Sequence, residues 1–454
     1  MTTVIQGCAV ATMDGTGTEY ADGHVVVEGS RIAAVGPGPA DPTVTGDADT
    51  VLDARGCLAT PGLVNTHHHL YQWATRGLAQ QDDLFGWLTT LYPVWEGLDE
   101  DLVGAAAAAG LGWLARTGCT STTDHHYVFP RDGGDVLGAT VAAAREVGLR
   151  FHPTRGSMDL GQSRGGLPPD SVVETTEAAL AGTLRALDEH HDPSPGSMLR
   201  MGVAPCSPFS VTEDLMREAA ALARERGVRL HTHLAETLDE DVFCRSHYGC
   251  SPTEYADGLG WLGDDVWLAH CVHVEGAGAK RLADSGTAVA HCPTSNARLG
   301  AGLAPVADLR EAGVAVGLGV DGSASNEESS LVTELHAAVM VARLRGGPAA
   351  MTARDALALG TIGGARVLGR EDEFGSLEPG KLADLALWRV DGLAHAGCED
   401  PVAGLLLGSR PPLARLLVGG ATVVEDDVLL TADEHALARR AAVATRTLLA
   451  RSGR

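Results

Sequence analysis

From Pro61 to about residue 370 the chain alternates short apolar runs with amphipathic helical stretches, and this rhythm restricts its fold more than any other feature. Helical patterns at Asp101–Arg116, Val141–Val147, Val172–His190 and Glu213–Arg226 are interleaved with runs around Arg150–His152, Leu199–Ala204, Val228–His233, Val266–His270, Thr287–His291 and Val314–Asp321. A strand-then-helix repeat of about 30–40 residues predicts βα units and a parallel sheet. Eight such units in roughly 310 residues predict an α/β fold, a TIM-like (β/α)8 barrel, with a doubly wound sheet as the alternative.

Both chain ends read differently. Residues 1–58 and the segment from 370 onward are strand-and-turn sequence, as in VVVEGSRIAAVG and ARLLVGGATVVEDD. Neither end has enough strands to bury a core alone, so the two are expected to combine. The expected division is 1–58 and 370–454 in one small β-sandwich domain, with a terminal helix, flanking a barrel of 59–369.

Lys plus Arg is 34 against 59 Asp plus Glu, a net charge of −25, which argues against nucleic acid or an anionic membrane as partner. Nine cysteines form no CxxC pair, and the opening MTTVIQGCAVATMDG has neither a basic nor an apolar signal region. The run from Val103 to Ala115 is too short and Ala-rich to cross a bilayer. A soluble cytoplasmic protein is expected.

Four segments carry chemistry. In PGLVNTHHH, His67 and His69 share one strand face and His68 takes the other, so two imidazoles can meet one cation. In VRLHTHLAE, His231 and His233 likewise share a face, and periodicity alone does not separate them. Glu236 follows where the strand ends, and a carboxylate there suits proton transfer beside a metal. In WLAHCVH, His270 ends an apolar strand and could orient water, while His273 belongs to the loop beyond. In VAVGLGVDGSASN, Asp321 closes a wholly apolar run, where a carboxylate is costly to bury without a cation or donors. Together they place imidazoles and a carboxylate at the carboxyl ends of different barrel strands, where barrel chemistry is done. Nitrogen and oxygen ligands with an open position suit Zn2+ or Fe2+. No lysine lies between His69 and His231, so a carboxylated lysine bridging two metals cannot form, and one divalent cation is expected.

PGLVNTHHH, HTHLAE, LAHCVH and GVDGSASN, in this order and followed by EFGSLEPGKLADLALW, resemble the amidohydrolase superfamily over essentially the whole chain, and within it the nucleobase and triazine deaminase branch. The resemblance implies His67, His69, His233 and Asp321 as metal ligands, His233 being chosen over His231 by the H-x-x-E spacing. It implies Glu236, His270 and Asp321 as the proton-transfer residues, Zn2+ ahead of Fe2+, and a homo-oligomer. HHHLYQ and LFGWL further imply Gln72 reading a ring edge and Trp87 flanking the ring. APCSPFS carries Cys206 where guanine-deaminating members have an Arg, so Cys206 becomes the third substrate contact. This combination resembles the members that convert 8-oxoguanine to urate and ammonia. A heteroaromatic amine is thus the expected partner, with guanine, isocytosine, a pterin-like amine or an s-triazine as alternatives. A non-catalytic assembly homologue is a remote alternative, since no ligand is missing.

Overall fold

The computed structural model describes residues 1–274 and 276–453. Eight parallel strands close into a barrel: β1 (Leu63–Asn65), β2 (Cys119–His126), β3 (Arg150–Ser157), β4 (Gly202–Pro205), β5 (Leu230–Leu234), β6 (Val266–His270), β7 (Ala288–His291) and β8 (Val316–Leu318), with β8 pairing back onto β1. The TIM-like expectation therefore holds. In the β5–β6 register His233 lies opposite Ala269 and Leu234 opposite His270, which brings two histidine-bearing carboxyl ends level.

The helices between strands form as their sequences dictate. Glu100–Arg116 is capped by Asp99, whose side chain accepts from Leu102 N–H; it carries Glu100 and Asp101 in its first turn and Arg116 in its last, matching the helix dipole. Its alanine stripe, Ala106 to Ala109, is buried against the barrel and the neighbouring helices. None of the described helices is long and apolar enough to cross a membrane.

The two chain ends build one nine-stranded sheet. Its main path runs Arg31–Pro37, Glu19–Glu28, Thr2–Ala11, Cys57–Pro61, Leu385–Arg389, Leu413–Val418, Ala421–Glu425 and Val428–Leu429, while Thr50–Asp53 also pairs with Thr2–Ala11. Ile5, Val25, Val27 and Ile32 from the first arm join Leu385, Leu387 and Leu417 from the second in one buried cluster. The central joint is Cys57–Pro61, which pairs parallel to Thr2–Ala11 and antiparallel to Leu385–Arg389.

A deeply buried ion pair ties this sheet to the barrel. Arg150, at the start of β3, donates from Nε and Nη2 to the two carboxylate oxygens of Asp384 at 3.0 and 3.2 Å, and from Nη1 to the carbonyls of Gly196 and Ser197. Asp384 also accepts the Gly419 N–H. Both side chains are about 1% exposed, so the pair holds only because its hydrogen-bonding capacity is filled on both sides. Asp384→Ala should strand the guanidinium and cost about 3–5 kcal/mol. Thermal or urea unfolding measures this, and a wild-type midpoint would refute the assignment of this pair as the joint.

Candidate metal and substrate site

Beyond Asn65 the first strand continues through Thr66 and His67 into the two-residue strand His68–His69, which pairs in parallel with Asp321–Gly322. The Asp321 N–H donates to the His67 carbonyl at 3.1 Å. This mini-ladder carries two histidines and an aspartate from opposite ends of the barrel sequence to one place. Asp321 has φ +60°, as His270 has φ +71° and Cys271 φ +48°. Non-glycine residues in the left-handed region cost roughly 1–2 kcal/mol each and concentrate at functional sites. Gly322 leaves room for Gln72, since a Cβ there would lie 1.8 Å from the Gln72 Oε1 and push that side chain aside.

Hydrogen bonds decide which imidazole nitrogens are free. His69 Nδ1–H donates to the His125 carbonyl at 2.7 Å, and His233 Nδ1–H to the Cys206 carbonyl at 2.7 Å. His231 Nδ1–H donates to the Trp267 carbonyl at 2.9 Å, so its Nε2 is an acceptor and receives His67 Nδ1–H at 2.8 Å. All three candidate ligands therefore present an Nε2 lone pair to the same spot. His69 Nε2 and His233 Nε2 stand 3.1 Å apart, and His67 Nε2 is buried with no hydrogen-bond partner. Asp321 Oδ1 lies 3.3 Å from both His67 Nε2 and His69 Nε2. Burial drives the His67 and His233 imidazoles toward the neutral form, His233 to about 3. Converging neutral lone pairs beside a carboxylate repel one another unless a cation lies between them, and the donor set fits Zn2+ or Fe2+.

The candidate proton-transfer groups stand beside this cluster. His270 Nε2 is 3.8 Å from Glu236 Oε2 and 3.9 Å from Asp321 Oδ2, and its Nδ1–H donates to Asn296 Oδ1 at 2.9 Å. Burial works against the His270 cation, but Glu236, Asp321 and Asn296 outweigh it and raise its pKa. Burial pushes the Glu236 carboxyl up, against the pull of His270. Asp321 Oδ2 accepts from Ser295 Oγ at 2.6 Å.

Gln72, Trp87, Cys206, Glu236, His270 and Asp321 line one pocket with Tyr127 and Phe209. Gln72 is fully buried, and neither its Oε1 nor its Nε2 has a partner. Trp87 Nε1–H donates to the Ala324 carbonyl at 3.1 Å, which fixes the indole plane. The Cys206 thiol is pushed up to about 12 by burial, so it is a neutral wall. Its backbone matters more, since its carbonyl orients His233. His68 turns away, accepting the His69 N–H, and His273 lies beyond its strand with Nε2–H on the Ala301 carbonyl.

Several participants are absent from the sequence reading. The polar strand Cys119–His126 supplies Asp124, whose Oδ1 accepts the Leu70 N–H at 2.8 Å and so anchors the turn that carries Gln72. It also supplies His125, which offers a fourth ring nitrogen within 4.8 Å of those of His67, His69 and His233. Glu334, buried and raised to about 8 by that burial, accepts from Thr294 N–H and Asn326 Nδ2–H and so joins the loops after β7 and β8. The adjacent pair Ser295-Asn296 was the available signal for the supports of Asp321 and His270.

The sequence profile described as "Amidohydrolase family" matches residues 58–406. The chain belongs to the amidohydrolase family. It is a hydrolytic enzyme acting on C–N bonds. The amidohydrolase chain is 42% identical over 445 residues to an 8-oxoguanine deaminase of Pseudomonas aeruginosa, covering 97% of this chain and 98% of that one. It is 37% identical to an isoxanthopterin deaminase from an unknown prokaryote, covering 98% and 97%. Among solved structures, atrazine chlorohydrolase from Arthrobacter aurescens TC1, complexed with zinc, superposes with a TM-score of 0.92 at 33% identity over 98% of this chain and 100% of that one.

His231 touches no substrate-pocket atom, yet it fixes the ring of His67. His231→Phe should keep the amidohydrolase fold and lower zinc affinity about 10–100-fold, as loss of an orienting partner does elsewhere. Chelator competition measures this, and unchanged affinity would show that His67 needs no such partner.

Proposed function

We propose that this amidohydrolase removes the amino group of a heteroaromatic ring hydrolytically, with 8-oxoguanine as substrate and urate and ammonia as products. The reading is carried by the three Nε2 lone pairs of His67, His69 and His233 facing Asp321, with Glu236 and His270 within reach of the same pocket. These four ligands would hold one divalent cation, Zn2+ or else Fe2+, which when bound lowers the pKa of water and stabilises developing negative charge.

The chain's own groups do the remainder. Glu236, whose carboxyl burial pushes upward, delivers a proton to the ring nitrogen next to the amino-bearing carbon and makes that carbon electrophilic. Asp321 and His270, which flank the attacking side, orient the water and take its proton. The water oxygen bonds to the ring carbon, the carbon–nitrogen bond breaks, and a second proton lets the amine leave as ammonia. Gln72, with an unpaired carbonyl and an unpaired amide N–H2, matches a lactam edge, N–H beside C=O, as oxopurines and oxopterins carry. Trp87 flanks the ring, and neutral Cys206 occupies the place where an arginine would demand a different edge. The 42% identity to 8-oxoguanine deaminase, against 37% to isoxanthopterin deaminase, favours the purine. The nine free thiols suit a reducing, cytoplasmic setting. The barrel, 59–369, is the catalytic unit and the small domain its support, and the protein is a homo-oligomer.

Ammonia release from 8-oxoguanine, isoxanthopterin, guanine, isocytosine and hydroxyatrazine tests the reading directly. Fastest turnover of 8-oxoguanine is expected; faster isoxanthopterin would replace the substrate but keep the reaction, and no ammonia from any would refute both. Glu236→Gln should lower kcat about 10²–10⁴-fold with the cation retained. Gln72→Ala should cost about 1–3 kcal/mol in kcat/KM without changing cation content. Near-normal rates would remove either residue from its role.

A further inference from the structure

Glu240 is buried in the first turn of the helix Leu238–Tyr248 and lines the same pocket, yet the reaction above gives it no part. An acidic residue three positions into a helix commonly bonds back to the backbone N–H of the cap residue, here Thr237. Glu240 does something else. Its carboxylate reaches past Thr237, whose own hydroxyl is buried without a partner. Oε1 accepts the Ala235 N–H at 2.7 Å and Oε2 the Glu236 N–H at 3.2 Å.

The first of the two amides it binds belongs to a residue in an unusual conformation. Ala235 sits at φ +52°, a left-handed geometry an L-residue adopts only at a cost of roughly 1–2 kcal/mol. The other side of the turn is also tied down, since the Ala235 carbonyl accepts the His273 N–H at 2.9 Å from the loop after β6. Glu240 therefore clamps the one turn that sets the direction in which the Glu236 side chain leaves the backbone. A catalytic carboxyl that gains and loses a proton each cycle needs a backbone that does not shift as its charge changes, because small misplacements of a proton donor are costly.

We propose that Glu240 is a positioning residue: by holding the Ala235 and Glu236 amides it aims the Glu236 carboxyl at the substrate ring. This rests on the reading of Glu236 as the proton-transfer group. Glu240→Gln is nearly isosteric but turns an N–H2 against one of the amides. Glu240→Asp keeps the carboxyl group but shortens the reach.

Steady-state kinetics on the amine that turns over fastest in the panel above, with zinc content and melting temperature measured alongside, decides the matter. Both variants should lose about 10–100-fold in kcat, with KM and zinc content near wild type. Because Glu240 acts through Glu236, the double variant Glu236→Gln/Glu240→Gln should be no slower than Glu236→Gln alone. Wild-type kcat in Glu240→Gln or Glu240→Asp, even with a lowered melting temperature, overturns the inference. So does a double variant slower by the product of the two single losses. A fully active Glu236→Gln would bring down the proton-transfer reading and this inference with it. A dead Glu236→Gln beside an unimpaired Glu240→Gln would sink the inference alone.

Discussion

Three imidazoles cannot point bare lone pairs at one another in a protein interior without something positive between them, and the upper end of this barrel is organised around that constraint. Each ring is pinned through Nδ1: His69 to the His125 carbonyl, His233 to the Cys206 carbonyl, and His67 to His231, which is itself held by the Trp267 carbonyl. Those commitments come from β2, β4, β5 and β6, so half the barrel contributes to fixing one tautomer set. The tautomers leave Nε2 free, and burial drives His67 and His233 toward the neutral form. Asp321 completes the arrangement from β8, reached by a strained left-handed step. Remove any of these backbone acceptors and a ring can rotate or exchange its proton, and the donor set loses its focus.

Much of this was legible in the sequence because alternation along a strand is a strict rule. HxH must place two imidazoles on one side, and a carboxylate ending an apolar run must find partners. Periodicity could not choose between His231 and His233, since both face the barrel interior. They lie in successive layers: His231 stacks on Trp267 with ring centroids 4.5 Å apart and serves His67, while His233 reaches the mouth. That distinction depends on depth along the barrel axis, which a face pattern does not encode.

The strand Cys119–His126 escaped for a different reason. It reads Cys-Thr-Ser-Thr-Thr-Asp-His-His, with hardly an apolar side chain, yet every one of its residues is buried. Small hydroxyl side chains fill a barrel interior as well as aliphatic ones when they find partners, as Thr122 does by accepting from the Asn65 Nδ2–H and donating to the Thr123 carbonyl. Hydrophobicity is therefore a poor guide to such a strand, and Asp124 and His125 went unread with it. Backbone functions were also hidden: the position of Cys206 was apparent, but the work of its carbonyl was not.

The nine-stranded sheet has a consequence for how the chain comes into being. Cys57–Pro61 finds one neighbour in Thr2–Ala11 at once, but its other neighbour, Leu385–Arg389, emerges roughly 320 residues later. At ribosomal rates of about 5–20 residues per second that interval is on the order of half a minute. Throughout it, one flank of a fully buried strand has no mate while the whole barrel is being made between the two. The nascent protein is thus exposed to mispairing with other chains for most of its synthesis, and it becomes sealed only when Leu385–Arg389 arrives.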